Sequence, residues 1–227
     1  MVKINTQLFF SRKEKTKLNS GVTLIELIVV VSIFSVVSSV LLFNYSDFST
    51  NVSIRNLSQD IALNIRKAQS FATSVRGLTT DGGRSYPAYG IVFSLESSAG
   101  AFEPNSKNFI SFVDVIPVGN QVPNKKYDNN GICGTVTEGS ECLEATTINS
   151  ADSIVSLETD VTGGPISSGT VAITFRRPSP DAIICYIPSG DSNCADQIPS
   201  YVKITLRSAK GLTRTISVWN TGQINVE

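Results

Sequence analysis

The sequence predicts an α+β fold: a long N-terminal helix, transmembrane and then amphipathic, packed on a mostly antiparallel β-sheet domain. Three observations predict it. Residues 22–43 contain no Lys, Arg, Asp, Gly or Pro, and Glu26 is their single charge. As a helix, such a run spans a hydrocarbon layer of ~30 Å. No Gly or Pro interrupts 22–76, and from Ile54 an apolar stripe runs through Leu57, Ile61, Ile65, Ala68, Ala72 and Val75. Steps of three or four place these side chains on one helix face. After 77 the apolar period shortens to two, as in strands.

Each element can be justified in chain order. Residues 1–21 carry Lys3, Arg12, Lys13, Lys15 and Lys17 against Glu14 alone, and are expected to be a basic leader removed from the mature chain. Such charge holds its end in the cytoplasm and sends the C-terminal side outward. An ordinary secretory signal ends in a small-x-small site; NYSDFST, after the apolar run, offers none. The run is also longer than a signal core of roughly 7–15 residues, so it is expected to stay in the chain. Residues 22–43 form the transmembrane helix and 44–77 its amphipathic continuation, with Gly77 as a suitable stop. Residues 78–227 form the extracytoplasmic β domain. Its expected strands are 88–96, 108–116, 153–159, 170–176, 182–187, 201–207, 212–219 and 223–226. Ser208 to Gly211 and Asn220 to Gly222 have the composition of tight links. No helix-period stretch intervenes, so a mostly antiparallel meander follows. Residues 117–150, rich in Gly, Asn and Pro, form a long irregular excursion.

Composition excludes several functions. The chain has 227 residues and no histidine. That removes Ser-His-Asp and Cys-His catalysis and the commonest metal ligand. No phosphate loop, metal cluster or carboxylate pair stands out, so no enzyme and no cofactor is expected. Formal charge is zero overall, but beyond residue 21 fourteen basic residues face eighteen acidic ones. An acidic domain is not an expected nucleic-acid partner. The cysteines Cys133, Cys142, Cys185 and Cys194 form two pairs, each with eight residues between. Neither has zinc-site spacing. Local disulfides 133–142 and 185–194 suit an exported domain, and four free thiols are the alternative.

The segment Ser20-Gly21-Val22-Thr23-Leu24-Ile25-Glu26, between a basic leader and a charge-free run, resembles the cleavage and methylation site of type IV prepilins and type II secretion pseudopilins. The resemblance implies a type IV pilin-like fold. It also implies cleavage between Gly21 and Val22 by a membrane-embedded prepilin peptidase, which then N-methylates Val22. That family usually has Phe where this chain has Val22. Residues 58–72 and 211–224 resemble the amphipathic helix and final hairpin of the GspH/FimT group of minor pilin-like proteins. The implied protein is a minor pilin or pseudopilin. It would sit in the inner membrane, single-pass with its N-terminus cytoplasmic, until it assembles with other pilins into a pilus or secretion pseudopilus.

Four features remain to be placed. Glu26 is costly in a membrane, by roughly 2.5–3.5 kcal/mol on insertion scales, so it needs a partner or a function. The α-amino group that cleavage creates on a neighbour's Val22 is the cation at hand, and Thr23 and Leu24 share that assembly segment. Ser32, Ser35, Ser38 and Ser39 fit either close helix contacts or back-bonding to carbonyls. Tyr127 to Gly131 offers oxygen atoms to a calcium ion, but lacks EF-hand spacing and suits an Asx turn better. Arg176, Arg177, Lys203, Arg207, Lys210 and Arg214 cluster in the last strands. Through Lys203, Arg207 and Arg214 they motivate a second reading, a DNA-binding minor pilin for DNA uptake. A plain signal-anchored domain unrelated to fibres is the third.

Overall fold

The computed structural model describes residues 21–74, 76–80, 83–97, 102–115, 124–128, 133–134, 136 and 140–227. The leader before Gly21, Val75 at the end of the stripe, and most of 117–139 lie outside the described residues; the rest of the predicted 117–150 excursion is not all irregular, since Cys142–Thr147 form a strand. The chain divides into two compact units, 1–45 and 46–227.

One helix, α1, runs Leu24–Thr73. Its apolar side chains from Leu24 to Leu42 are exposed within the first unit. In the second unit the predicted stripe is the buried face: Ile54, Ile61, Ile65, Ala68 and Ala72 are all in the core. Ser58, a polar residue outside that stripe, is fully buried as well. Its hydroxyl donates to the Arg55 carbonyl at 2.8 Å, which satisfies it without leaving the helix. The helix ends three residues before Arg76. Arg76 N–H donates to the Phe71 carbonyl, and the Arg76 carbonyl accepts from the Tyr89 hydroxyl at 2.9 Å.

Among the described residues twelve strands follow: β1 (Leu78–Thr80), β2 (Gly83–Ser85), β3 (Ala88–Ser94), β4 (Asn108–Asp114), β5 (Cys142–Thr147), β6 (Ser153–Thr159), β7 (Gly164–Ile166), β8 (Thr170–Phe175), β9 (Ala182–Ile187), β10 (Tyr201–Arg207), β11 (Thr213–Trp219) and β12 (Ile224–Val226). All named strand pairs are antiparallel. They are not one meander. β1 and β2 form a hairpin, and the rest divide into two five-stranded sheets, ordered β12-β11-β10-β6-β7 and β5-β4-β3-β8-β9. Two pairings skip along the chain, β3 with β8 and β6 with β10, and these create the division.

In the first sheet, strand β10 alternates cleanly. Val202, Ile204 and Leu206 of β10 are buried, with Ile154 and Leu157 of β6 and Ile216 and Val218 of β11 beside them. Tyr201, Lys203, Thr205 and Arg207 take the other face. In the second sheet, every residue of β3 and β4 is buried. One face joins the core with α1 and the first sheet. The other carries a smaller cluster of Val92, Ile110, Phe112 and Ala172, with Cys142 and Cys185. Both predicted disulfides form, Cys133–Cys142 and Cys185–Cys194. Cys142 opens β5 and Cys185 lies in β9, the two outer strands, so the bridges bracket this face. Gly90 lies under the Phe112 ring, where an added Cβ would come within 2.7 Å of it.

Candidate functional site

The resembling segment sits at the start of α1. Thr23 is the N-cap: its hydroxyl accepts from Glu26 N–H at 3.3 Å, and its carbonyl accepts from Leu27 N–H at 3.1 Å. A helix leaves its first N–H groups unpaired, and a Thr three residues before a Glu is the capping-box pattern. Thr23 and Glu26 spell that pattern in the sequence, where it was readable. Glu26 therefore stands in the first turn, beside the positive end of the helix dipole. That gives the carboxylate a local partner, besides the α-amino group expected of a neighbour. Gly21 is unconstrained: among the described residues nothing lies within 4 Å of where its Cβ would be. Among the described residues nothing requires a glycine there.

Beyond the cap, α1 contains a window long and apolar enough to cross a membrane. Val22, Leu24 and Leu42 are each more than 70% exposed. Two of the serines turn inward on their own helix: Ser32 donates to the Val29 carbonyl and Ser39 to the Ser35 carbonyl, both at 2.8 Å. These bonds remove the polarity of the hydroxyls from an apolar surface. Residues 16–42 match the family model described as the prokaryotic N-terminal methylation motif. The chain carries that motif. No curated protein and no solved structure matches the chain. The methylation motif supports a processed, type IV prepilin-like subunit, and with the apolar helix it points to membrane anchoring of this end.

Behind the motif, α1 is fastened to the β domain by polar contacts at three heights. Ser53 donates to Asp152 at 2.6 Å. Lys67 pairs with Glu144 at 2.9 Å. Gln69 Nε2 donates to the Pro180 carbonyl at 2.8 Å and to the Gly222 carbonyl at 3.0 Å. Pro180 lies between β8 and β9, and Gly222 between β11 and β12. One helix side chain thus holds a loop from each sheet.

The structure also assembles a carboxylate cluster that the sequence did not reveal, because its members are far apart in the chain. Asp114 ends β4 and accepts N–H bonds from Asn124 and Lys125 at 3.2 and 3.0 Å. Glu141 accepts from Val115 N–H at 3.1 Å and Asp128 N–H at 2.9 Å. Burial pushes Asp114 up to about 6, against the pull of those two N–H groups. Burial pushes Glu141 up to about 8, with Asp114 and Asp128 adding repulsion. The carboxylates are spent on loop backbone, and among the described residues no three metal-ligating side chains converge. Asp128, from the loop weighed for calcium, is bonded to Asn124 and paired with Lys126 at 3.2 Å. Residues 129–131 of that loop lie outside the described residues.

The basic residues considered for DNA do not share one face. Register pairs Lys203 with Ser217, Arg207 with Thr213, and Arg214 with Leu206. Lys203 and Arg207 therefore stand on the outer face of the sheet, and Arg214 on the face that carries Leu206. Lys203 is also neutralised by Glu158 at 2.8 Å, a hydrogen bond that raises its pKa. Lys210 is paired with Asp47 at 2.6 Å, and Arg177 lies over the Tyr86 ring.

Proposed function

We propose that this chain is a minor pilin or pseudopilin, a structural subunit of the GspH/FimT kind. Prepilin peptidase cuts it after Gly21 and N-methylates Val22, and it then assembles with other pilins into a type IV pilus or type II secretion pseudopilus. The observation that carries the reading is the methylation motif at the capped start of an uninterrupted apolar helix. Before assembly, residues 22–43 sit in the inner membrane with the β domain outside. On assembly, lipid is exchanged for neighbouring apolar helices. Hydrophobic transfer contributes little to that exchange, so packing and polar contacts must drive it. Glu26 pairs with the α-amino group of a neighbour's Val22, which sets the register of the stacked helices. A desolvated carboxylate gains most from a cation within hydrogen-bond reach.

Co-assembly tests this. Glu26→Ala is expected to be cleaved normally and to disappear from fibres purified with the partner pilins. Normal incorporation of that variant would refute the pairing. The division of Lys203 and Arg207 from Arg214 between two faces gives the DNA-uptake reading no common surface.

A further inference from the structure

Two contacts fix how the β10–β11 hairpin lies along α1. Gln69, late in the helix, holds Gly222 beyond the far end of β11. Asp47, near the start of the second unit, pairs with Lys210 in the hairpin turn at 2.6 Å. The turn therefore points toward the start of the helix in this unit. Its own bonds close it. Ser208 N–H donates to the Leu212 carbonyl at 2.8 Å, Gly211 N–H to the Ser208 carbonyl at 2.9 Å, and Leu212 N–H to the Ser208 hydroxyl at 3.0 Å.

This closed turn presents an apolar residue among cations. Leu212 is exposed. Arg207 and Arg214, both exposed, bracket the turn from the two faces of the hairpin. No one face holds both, so they converge only on a surface that meets the hairpin end-on. Three cations, Arg207, Lys210 and Arg214, stand against one carboxylate, Asp47. Asp152 lies beside the register partner of Arg207, but it is buried and accepts from the hydroxyls of Ser53 and Ser150. The next acid along β11 is Glu227, bonded through its backbone to Thr215.

Asp47 also lies close to lipid. The apolar run ends at Phe43, four residues earlier. Four residues advance about 6 Å as a helix and at most about 14 Å fully extended. The headgroup layer is itself roughly 5–8 Å deep on each side of a bilayer. Tyr45 and Phe48, on either side of Asp47, are exposed, and tyrosine is enriched at that depth.

We propose that the turn 208–212, with Arg207 and Arg214, rests on the anionic phosphate headgroups of the leaflet from which α1 emerges. The proposal rests on the reading of residues 22–43 as a membrane span. Guanidinium groups match phosphate oxygens in geometry and charge. A leucine between them adds apolar surface that enters the headgroup boundary. The contact sets the depth at which the subunit waits in the membrane, and it breaks when the helix is drawn into a fibre.

The test places the full-length chain in lipid nanodiscs of phosphatidylcholine, alone or mixed with phosphatidylglycerol. Acetylation of each lysine is followed by mass spectrometry. Lys210 is expected to react more slowly by about threefold or more in the acidic discs. Lys67, late in α1 and similarly exposed, is expected to react equally in both. Raising salt from about 0.1 M to about 1 M shortens the screening length from about 10 Å to about 3 Å and is expected to abolish the difference. Arg207→Glu/Arg214→Glu is expected to abolish it too, and the salt series on the unaltered chain stands if that variant does not fold. Equal rates at Lys210 in both kinds of disc, with the chain retained in them, would overturn the proposal and leave the anchoring reading intact. A chain that leaves the discs would overturn both. Protection of Lys210 by added duplex DNA and not by acidic lipid would overturn the proposal and assign the turn to nucleic acid.

Discussion

Gly21 and Gly222 are both glycines for a reason, but the reasons are opposite. Gly222 has φ +80°, and an added Cβ would overlap the Pro180 carbonyl and crowd Gln69. Gly222→Ala is therefore expected to destabilise the β domain, as is Gln69→Ala, which strands two carbonyls. The Gln69 change is expected to lower stability by about 1–3 kcal/mol, read from urea unfolding. Gly90→Ala is expected to act through packing instead, since the Phe112 ring must move, and to lower stability by about 1–3 kcal/mol. Gly21 has no such neighbour among the described residues. Gly21→Ala is expected to leave the unfolding curve unchanged while blocking cleavage, seen as retention of the leader on a gel. Loss of folding in that variant would show that the glycine serves the structure. Glu26 and Thr23 were legible as a motif, and their capping-box spacing was legible too. The burial of Ser58 was not, because a serine that bonds its own helix looks like any polar residue.

At the level of elements, the carboxylates that end β4 and precede β5 make stability depend on pH. Asp114 and Glu141 have folded values of about 6 and about 8, above their ordinary 3.8 and 4.5. The folded state therefore binds protons that the unfolded state has released. Stability from these groups is fully present below about pH 4 and is lost as pH rises through 6 and then 8. The groups facing them are Asp128 and, for Asp114, Arg176. The midpoint of thermal unfolding is expected to fall from pH 5 to pH 9. Glu141→Gln is expected to flatten the upper part of that fall. The strands these groups border differ in how readable they were. β3, β4, β6 and β8 to β12 were legible because their apolar residues recur with period two or run continuously. β5 reads CLEATT and has one fully buried side chain, Cys142, so its pattern is weak. β7 is three residues, Gly-Pro-Ile, held by β6. The carboxylate cluster was invisible because tertiary contact, not spacing, brings 114, 128 and 141 together.

For the whole molecule, the sequence showed strand positions and antiparallel sense but not the division into two sheets. A period-two pattern says which side chains face the core, not which strand lies next door. The skipped pairings, β3 with β8 and β6 with β10, depend on long-range contact. Period two did place Lys203 and Arg207 on one face, but the face of Arg214 on the neighbouring strand follows only from the register that pairs it with Leu206. The cysteines were better placed, since close spacing leaves little choice of partner. Each bridge joins residues nine apart. Loop-closure entropy for rings of that size gives about 2–3 kcal/mol per bridge, so removing either is expected to lower stability by that order. The proposed function turns on cleavage at the other end of the chain, between the basic leader and the capped apolar helix. Mass spectrometry of the N-terminus of the chain isolated from its native membrane tests it most directly. The expected first residue is Val22, carrying one added methyl group. A chain that begins at Met1, or one cut after Phe43, would contradict it.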